Sequence, residues 1–126
     1  VIDTAEGASV GVICMGTPIH AIREARASLA ADGTTFSVAR LRALPINPEL
    51  EAFIADHDRI AVIEMNRDGQ LASILRDELP HLAPKISSLA YLDGLPYTSD
   101  QIRDWLAPLL DSAQTPARNG KEGPRV

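Results

Sequence analysis

Short apolar runs alternate along this chain with longer stretches whose apolar positions recur every three or four residues. The first run, VGVICM at 10 to 15, has no polar interruption and fits a strand buried on both faces. Gly16 and Thr17 make the turn that follows, with Thr17 as N-cap and Pro18 at the first helical position, where a missing N–H costs nothing. Ile19, Ile22 and Leu29 then fall near one helical face, Ala21, Ala25 and Ala30 permit close approach to a sheet, and Asp32 with Gly33 ends the helix. FSVARL at 36 to 41 is the second strand, followed by a loop bearing Leu44 and Pro45. Asn47 caps a helix begun by Pro48, with Leu50, Phe53 and Ile54 on its apolar side. IAVIEM at 60 to 65 is the third strand, and Leu71, Ile74, Leu75 and Leu79 set the next helix, which Pro80 limits. ISSLAYL at 86 to 92 is the fourth strand, after which Thr98 and Gln101 read as a capping box. Ile102, Trp105, Leu106, Leu109 and Leu110 give the last helix its apolar stripe, and Pro108 is predicted to bend or shorten it.

Strands alternating with one-sided helices predict a doubly wound α/β domain of three layers, α/β/α, on a mostly parallel sheet with right-handed crossovers. The domain is expected over residues 9 to 111, with 1 to 8 as a lead from an upstream domain. Residues 112 to 126 lack apolar periodicity and are rich in Pro, Gly and charge, which predicts a disordered tail. An opening at Val1 that runs at once toward a strand suggests a piece of a longer protein.

Composition narrows the function more than the fold. The 126 residues suit one domain with a real core, and aromatics at 4% make that core aliphatic. A net charge of −5 with acidic residues spread throughout argues against a nucleic-acid or polybasic membrane surface. Cys14 is the only cysteine, so this chain has neither an internal disulfide nor a cluster held by four of its own cysteines; its strand position predicts a small buried side chain. His20, His57 and His81 lie far apart without a zinc spacing, and His57 and His81 are expected to face solvent. No run approaches the roughly 18 to 20 apolar residues of a membrane span, and the start lacks a signal peptide's pattern, so a cytoplasmic location is expected.

Candidate chemistry gathers at the carboxyl ends of the predicted strands, where doubly wound sheets bind ligands and partners. Three loops qualify: GTPIH at 16 to 20, LRALP at 41 to 45 and EMNRDGQ at 64 to 70. If the first and third strands are neighbours, Gly16 and Thr17 face Arg67 across one crevice, a place for an anion. The single glycine and the proline there fit neither a dinucleotide fingerprint nor a phosphate loop. Glu64 and His20 could be drawn as an acid/base pair, but a strand-end carboxylate more often caps a helix or pairs with an arginine. Asn66, Asp68 and Gly69 suit a turn; Glu64, Arg67 and Gln70 are left over by that reading and point toward an interface or binding role.

The succession VGVICMGTPIHAIREA, LRALPINPELEAFI, IAVIEMNRDGQLASILRDEL and LDGLPYTSDQI resembles the C-terminal domain of the alpha subunit of 2-oxoacid:ferredoxin oxidoreductases, most closely the 2-oxoglutarate type. This is the transketolase C-terminal-like domain of thiamine-diphosphate enzymes. The likeness spans about residues 9 to 107, and its most specific element is E-x-N-x-x-G-Q-L at 64 to 71. The Gly16 turn with Glu24-Ala25, Leu44-Pro45 and Gly94-x-Pro96 support it.

The resemblance implies a parent enzyme that oxidatively decarboxylates a 2-oxoacid to its acyl-CoA and passes electrons to ferredoxin. It implies thiamine diphosphate, Mg and an iron–sulfur cluster in that complex, with no cofactor in this domain. The implied partners are the beta subunit and the upstream alpha-subunit domains, with ferredoxin and CoA meeting the complex as a whole. It also implies the order 2-1-3-4 for the four strands, plus an antiparallel edge strand that can begin upstream of Val1. On this reading Gly16, Thr17, His20, Glu64, Asn66, Arg67, Gly69 and Gln70 are interface or loop candidates, and catalysis resides elsewhere. The alternative is a self-sufficient flavodoxin-like module that takes an anion or CoA-like phosphate beside Gly16.

Overall fold

The computed structural model describes residues 2–16, 18–42, 46–64, 69–90 and 97–114, with side chains as far as 111. The elements run β1 (Ile2–Asp3), β2 (Val10–Met15), α1 (Pro18–Ala30), β3 (Ser37–Leu41), α2 (Pro48–Ala55), β4 (Arg59–Glu64), α3 (Gln70–Glu78), a 3-10 turn (Ala83–Lys85), β5 (Ile86–Ala90) and α4 (Ser99–Gln114). They form one five-stranded sheet of order β1-β3-β2-β4-β5, parallel except where β1 runs against β3. In terms of the four predicted strands the order is 2-1-3-4, as expected. The antiparallel edge strand is present too, and its residues Ile2 and Asp3 pair with Ala39 and Val38.

The alternation of side chains along the central strands explains the three layers. Val10, Val12 and Cys14 of β2, with Ala61 and Ile63 of β4, pack toward α1 and α4. Their neighbours Ile13, Ile60 and Val62 pack toward α2 and α3. Both central strands are therefore buried on both sides, which is why they read as unbroken apolar runs. Gly11 is the small position in β2: a Cβ there would lie 2.9 Å from the Phe53 ring of α2. Side-chain volume at that point comes from α2 instead.

The helix boundaries follow local chemistry. The Asn47 side chain accepts the Leu50 N–H at 2.9 Å, with Pro48 opening α2. Thr98 and Gln101 form the reciprocal capping box: the Gln101 N–H donates to Thr98 Oγ1 at 3.1 Å, and the Thr98 N–H to Gln101 Oε1 at 3.0 Å. At the other end of α2, the Lys85 ammonium donates to the His57, Ala55 and Ile54 carbonyls at 2.8, 3.3 and 3.4 Å, a cation placed at the negative end of the helix.

Three expectations need correction. The lead 1 to 8 supplies the edge strand of this domain, where Arg26 of α1 pairs with Asp3 at 2.8 Å and Ser37 Oγ accepts the Ala5 N–H at 2.9 Å. Two residues carry no periodicity, so the strand has no signature. Helix α4 continues through Pro108 to Gln114, so residues 112 to 114 of the expected tail are helical. His57 is 3% exposed and does not face solvent. The turn after α2 folds its ring onto Phe53, with centroids 4.6 Å apart, and Nδ1–H donates to the Phe53 carbonyl at 2.7 Å. His81, by contrast, is exposed beside Glu51. The proposed Thr17 cap, Leu44-Pro45, residues 91 and 92 of the fourth strand, and the tail from 115 lie outside the described residues.

Candidate functional site

The strand order puts β2 beside β4, so the carboxyl ends of these two strands lie side by side where the order reverses. The described flanks of the second turn, after β4, are fastened to each other. Glu64 ends β4 on the α3 side and is 6% exposed. Its Oε1 accepts the Leu71 N–H at 2.7 Å and its Oε2 accepts the Ala72 N–H at 3.0 Å. A carboxylate thus sits on the first turn of α3, satisfying two amides that have no partner within the helix and lying at the positive end of its dipole. The backbone carbonyl of the same residue accepts a hydrogen bond from the Tyr97 hydroxyl, which arrives from the start of α4.

Gly69 completes this turn for two separate reasons. Its φ of +61° is a left-handed conformation, and a Cβ there would meet Ser88 Oγ of β5 at 2.7 Å. Gln70 is exposed at the head of α3. Asn66 and Arg67 lie outside the described residues, as does Thr17.

At the first turn, after β2, Gly16 is exposed, with a φ of +79°, and among the described residues nothing lies within 4 Å of where a Cβ would stand. Its carbonyl accepts the Ile19 N–H at 3.5 Å at the start of α1. His20 is exposed on that helix, and no hydrogen bond or ion pair among the described residues joins it to Glu64. The acid/base pairing of these two is therefore not what the fold assembles. Beside Gly16, at the carboxyl ends of β2 and β3, lies an open hollow of about 540 Å³. Met15, Gly16, Arg40, Leu41 and Arg42 line it among the described residues. Met15 is 38% exposed, one of two large apolar side chains among the described residues to be so, with Ile74.

One residue below Met15, Cys14 is fully buried. Burial pushes its thiol up from 9.0 to about 11, and the charges of Arg40 and Arg23 offset part of that rise. It is an inert interior thiol, as its strand position predicts. Among the described residues no three His, Cys, Asp or Glu side chains come together as a metal-binding group. A single buried cysteine does not supply the ligands of an iron–sulfur cluster. No described helix is long and apolar enough to cross a membrane.

No family model matches this chain, and no curated protein does. A solved structure does. The 2-oxoglutarate:ferredoxin oxidoreductase from Magnetococcus marinus, with 2-oxoglutarate, coenzyme A and succinyl-CoA bound, matches with a TM-score of 0.76 and 29% sequence identity. The match covers 87% of this chain and 19% of that one, so the present chain corresponds to a small part of the oxidoreductase. This likeness supports a domain related to oxoacid oxidoreductases and agrees with the transketolase C-terminal-like fold.

Sequence reasoning singled out the 64 to 70 loop and passed over Arg40, Arg42 and the Tyr97 hydroxyl. Arg42 stands in a loop recognisable as lying at a strand end, but one arginine carries no spacing that would mark it. Only the pairing of β3 with β2 places it beside Gly16.

Proposed function

We propose that this chain is the transketolase C-terminal-like domain of the alpha subunit of a thiamine-diphosphate-dependent 2-oxoacid:ferredoxin oxidoreductase of the 2-oxoglutarate type. It contributes to subunit assembly and active-site orientation, and the isolated domain has no activity of its own. The observation that carries this reading is the match along 87% of the chain at 29% identity to a 2-oxoglutarate:ferredoxin oxidoreductase. The spacing of Gly16, Glu64, Gly69 and Gln70 in the resemblance agrees with it. The internal use of both Glu64 carboxylate oxygens also supports a structural rather than catalytic task for the 64 to 71 segment.

On this reading the thiamine diphosphate, Mg and iron–sulfur cluster belong to other parts of a multi-subunit complex, and the beta subunit is the nearest partner. The test is the complete protein that contains this chain, purified with its partner subunits and assayed for CoA-dependent reduction of ferredoxin by 2-oxoglutarate. Turnover with 2-oxoglutarate is the expected result; no turnover with any 2-oxoacid would overturn the reading. In parallel, a thermal melt of the 126-residue chain with thiamine diphosphate plus magnesium, CoA or 2-oxoglutarate should show no shift. A ligand at a hundred times its dissociation constant adds about 2.7 kcal/mol, so a shift of several degrees would move a ligand site into this domain.

A further inference from the structure

The hollow beside Gly16 is open, and its described lining is cationic and apolar at once. Arg42 is exposed at its rim and Arg40 half-buried in its wall, while Met15 and Leu41 supply the apolar part. Arg40 and Arg23 both act on the buried Cys14 thiol, so their positive potential reaches the end of β2 from two elements. This stands in a chain whose net charge is −5. A volume of about 540 Å³ that opens broadly to solvent is far larger than a single oxyanion needs. An exposed flexible thioether next to guanidinium groups is the pairing found where protein surfaces meet, because methionine fits irregular partners and arginine binds carboxylates in a planar fork.

We propose that this hollow is a docking site for an acidic segment of a partner polypeptide, which sets an apolar side chain against Met15 and Leu41 and a carboxylate against Arg42. The inference deepens the assembly role proposed above and rests on it. It moves the contact from the 64 to 71 segment, whose Glu64 is used internally, to the β2 and β3 ends. Charge complementarity selects the occupant: an acidic segment is repelled by the net charge of the chain and attracted at this hollow.

The experiment uses the complete protein with its co-purifying partner subunits, and measures the subunit dissociation constant across a range of salt concentrations. Arg42→Glu is compared with Arg103→Glu, an equal change of charge on α4, and with Met15→Gln. The expected result is that Arg42→Glu weakens association at least tenfold at low salt, with the deficit shrinking as salt rises. Met15→Gln should weaken it by a similar factor at every salt concentration, and Arg103→Glu should leave it unchanged. An Arg42→Glu protein that assembles like Arg103→Glu overturns the docking site while leaving the oxidoreductase reading intact, since turnover of the unsubstituted enzyme is measured separately. Inorganic phosphate or pyrophosphate that stabilises the chain in an Arg42-dependent way, with assembly unaffected by Arg42→Glu, overturns it in favour of a small-anion site. Failure of any partner to accompany the unsubstituted protein overturns both.

Discussion

Two helices of this domain start from neighbouring strands by the same topological step and are held in opposite ways. Helix α3 begins under the carboxylate of the preceding strand, with Gly69 pressed against Ser88 and Tyr97 locking the strand end. Helix α1 begins after an exposed glycine, with an exposed methionine behind it. The segment richest in hydrogen-bonding groups is the one whose strand-end carboxylate is turned inward. Polar density in a sequence therefore marks a task without saying whether the task is internal, and free surface can lie beside the plainer turn.

The contrast can be broken by substitution. Glu64→Ala should have the largest effect, since it leaves the Leu71 and Ala72 amides buried without their acceptor. A loss of about 3 kcal/mol, or about 10 °C in Tm, is expected in a thermal melt. His20→Ala, at the corresponding helix, should leave Tm within about 1 °C, as exposed positions do. If the two losses are equal, α3 is not held as described.

The second effect is a pH dependence just below the Gly16 turn. The Cys14 thiol is raised in the folded state, so its contribution to stability is fully present below 9.0 and is lost as pH rises through about 11. Chemical denaturation across that window should show stability falling by roughly 2 kcal/mol, and Cys14→Ala should flatten the slope. A wild-type curve no steeper than that of Cys14→Ala would show that the thiol is not held neutral.

The two glycines sharpen the comparison. Gly69→Ala meets both a left-handed backbone and the Ser88 hydroxyl, for a loss of about 2 kcal/mol; Gly16→Ala meets backbone strain alone, about 1 kcal/mol. Adding Ser88→Ala should restore part of the loss at Gly69 and nothing at Gly16, a coupling that a double-mutant cycle measures. The smallest effect is expected from Gln101→Ala, which opens half of the exposed capping box at α4 for about 0.5 kcal/mol in urea unfolding.

Much of this architecture was legible because the sheet's centre is insulated from solvent. Val10 to Cys14 and Ile60 to Ile63 have apolar neighbours on both faces, which leaves an unbroken run in the sequence. Asn47, Pro48, Thr98 and Gln101 were legible as caps because a cap is a local rule. The strand order came from the family resemblance, since periodicity says nothing of which strands are neighbours. The edge strand was too short to carry a pattern, and His57 was misplaced because a turn residue obeys no period. At the candidate site, Gly69 as a turn former was readable. So was the Glu64 carboxylate as a helix cap, since its partners Leu71 and Ala72 stand seven and eight residues on. The task of the Tyr97 hydroxyl depends on a contact between residues 33 positions apart, which no local window contains.

That last contact binds more than two residues. Helix α3 lies on one face of the sheet and α4 on the other, and Glu64 serves both, with its carboxylate toward α3 and its carbonyl toward Tyr97. Neither outer layer can lift away at this corner without loosening the strand end that anchors its counterpart. The amides of Leu71 and Ala72 should then exchange with solvent only when the whole domain opens, so that a helix start, elsewhere a place of fraying, becomes part of the slowest-exchanging unit.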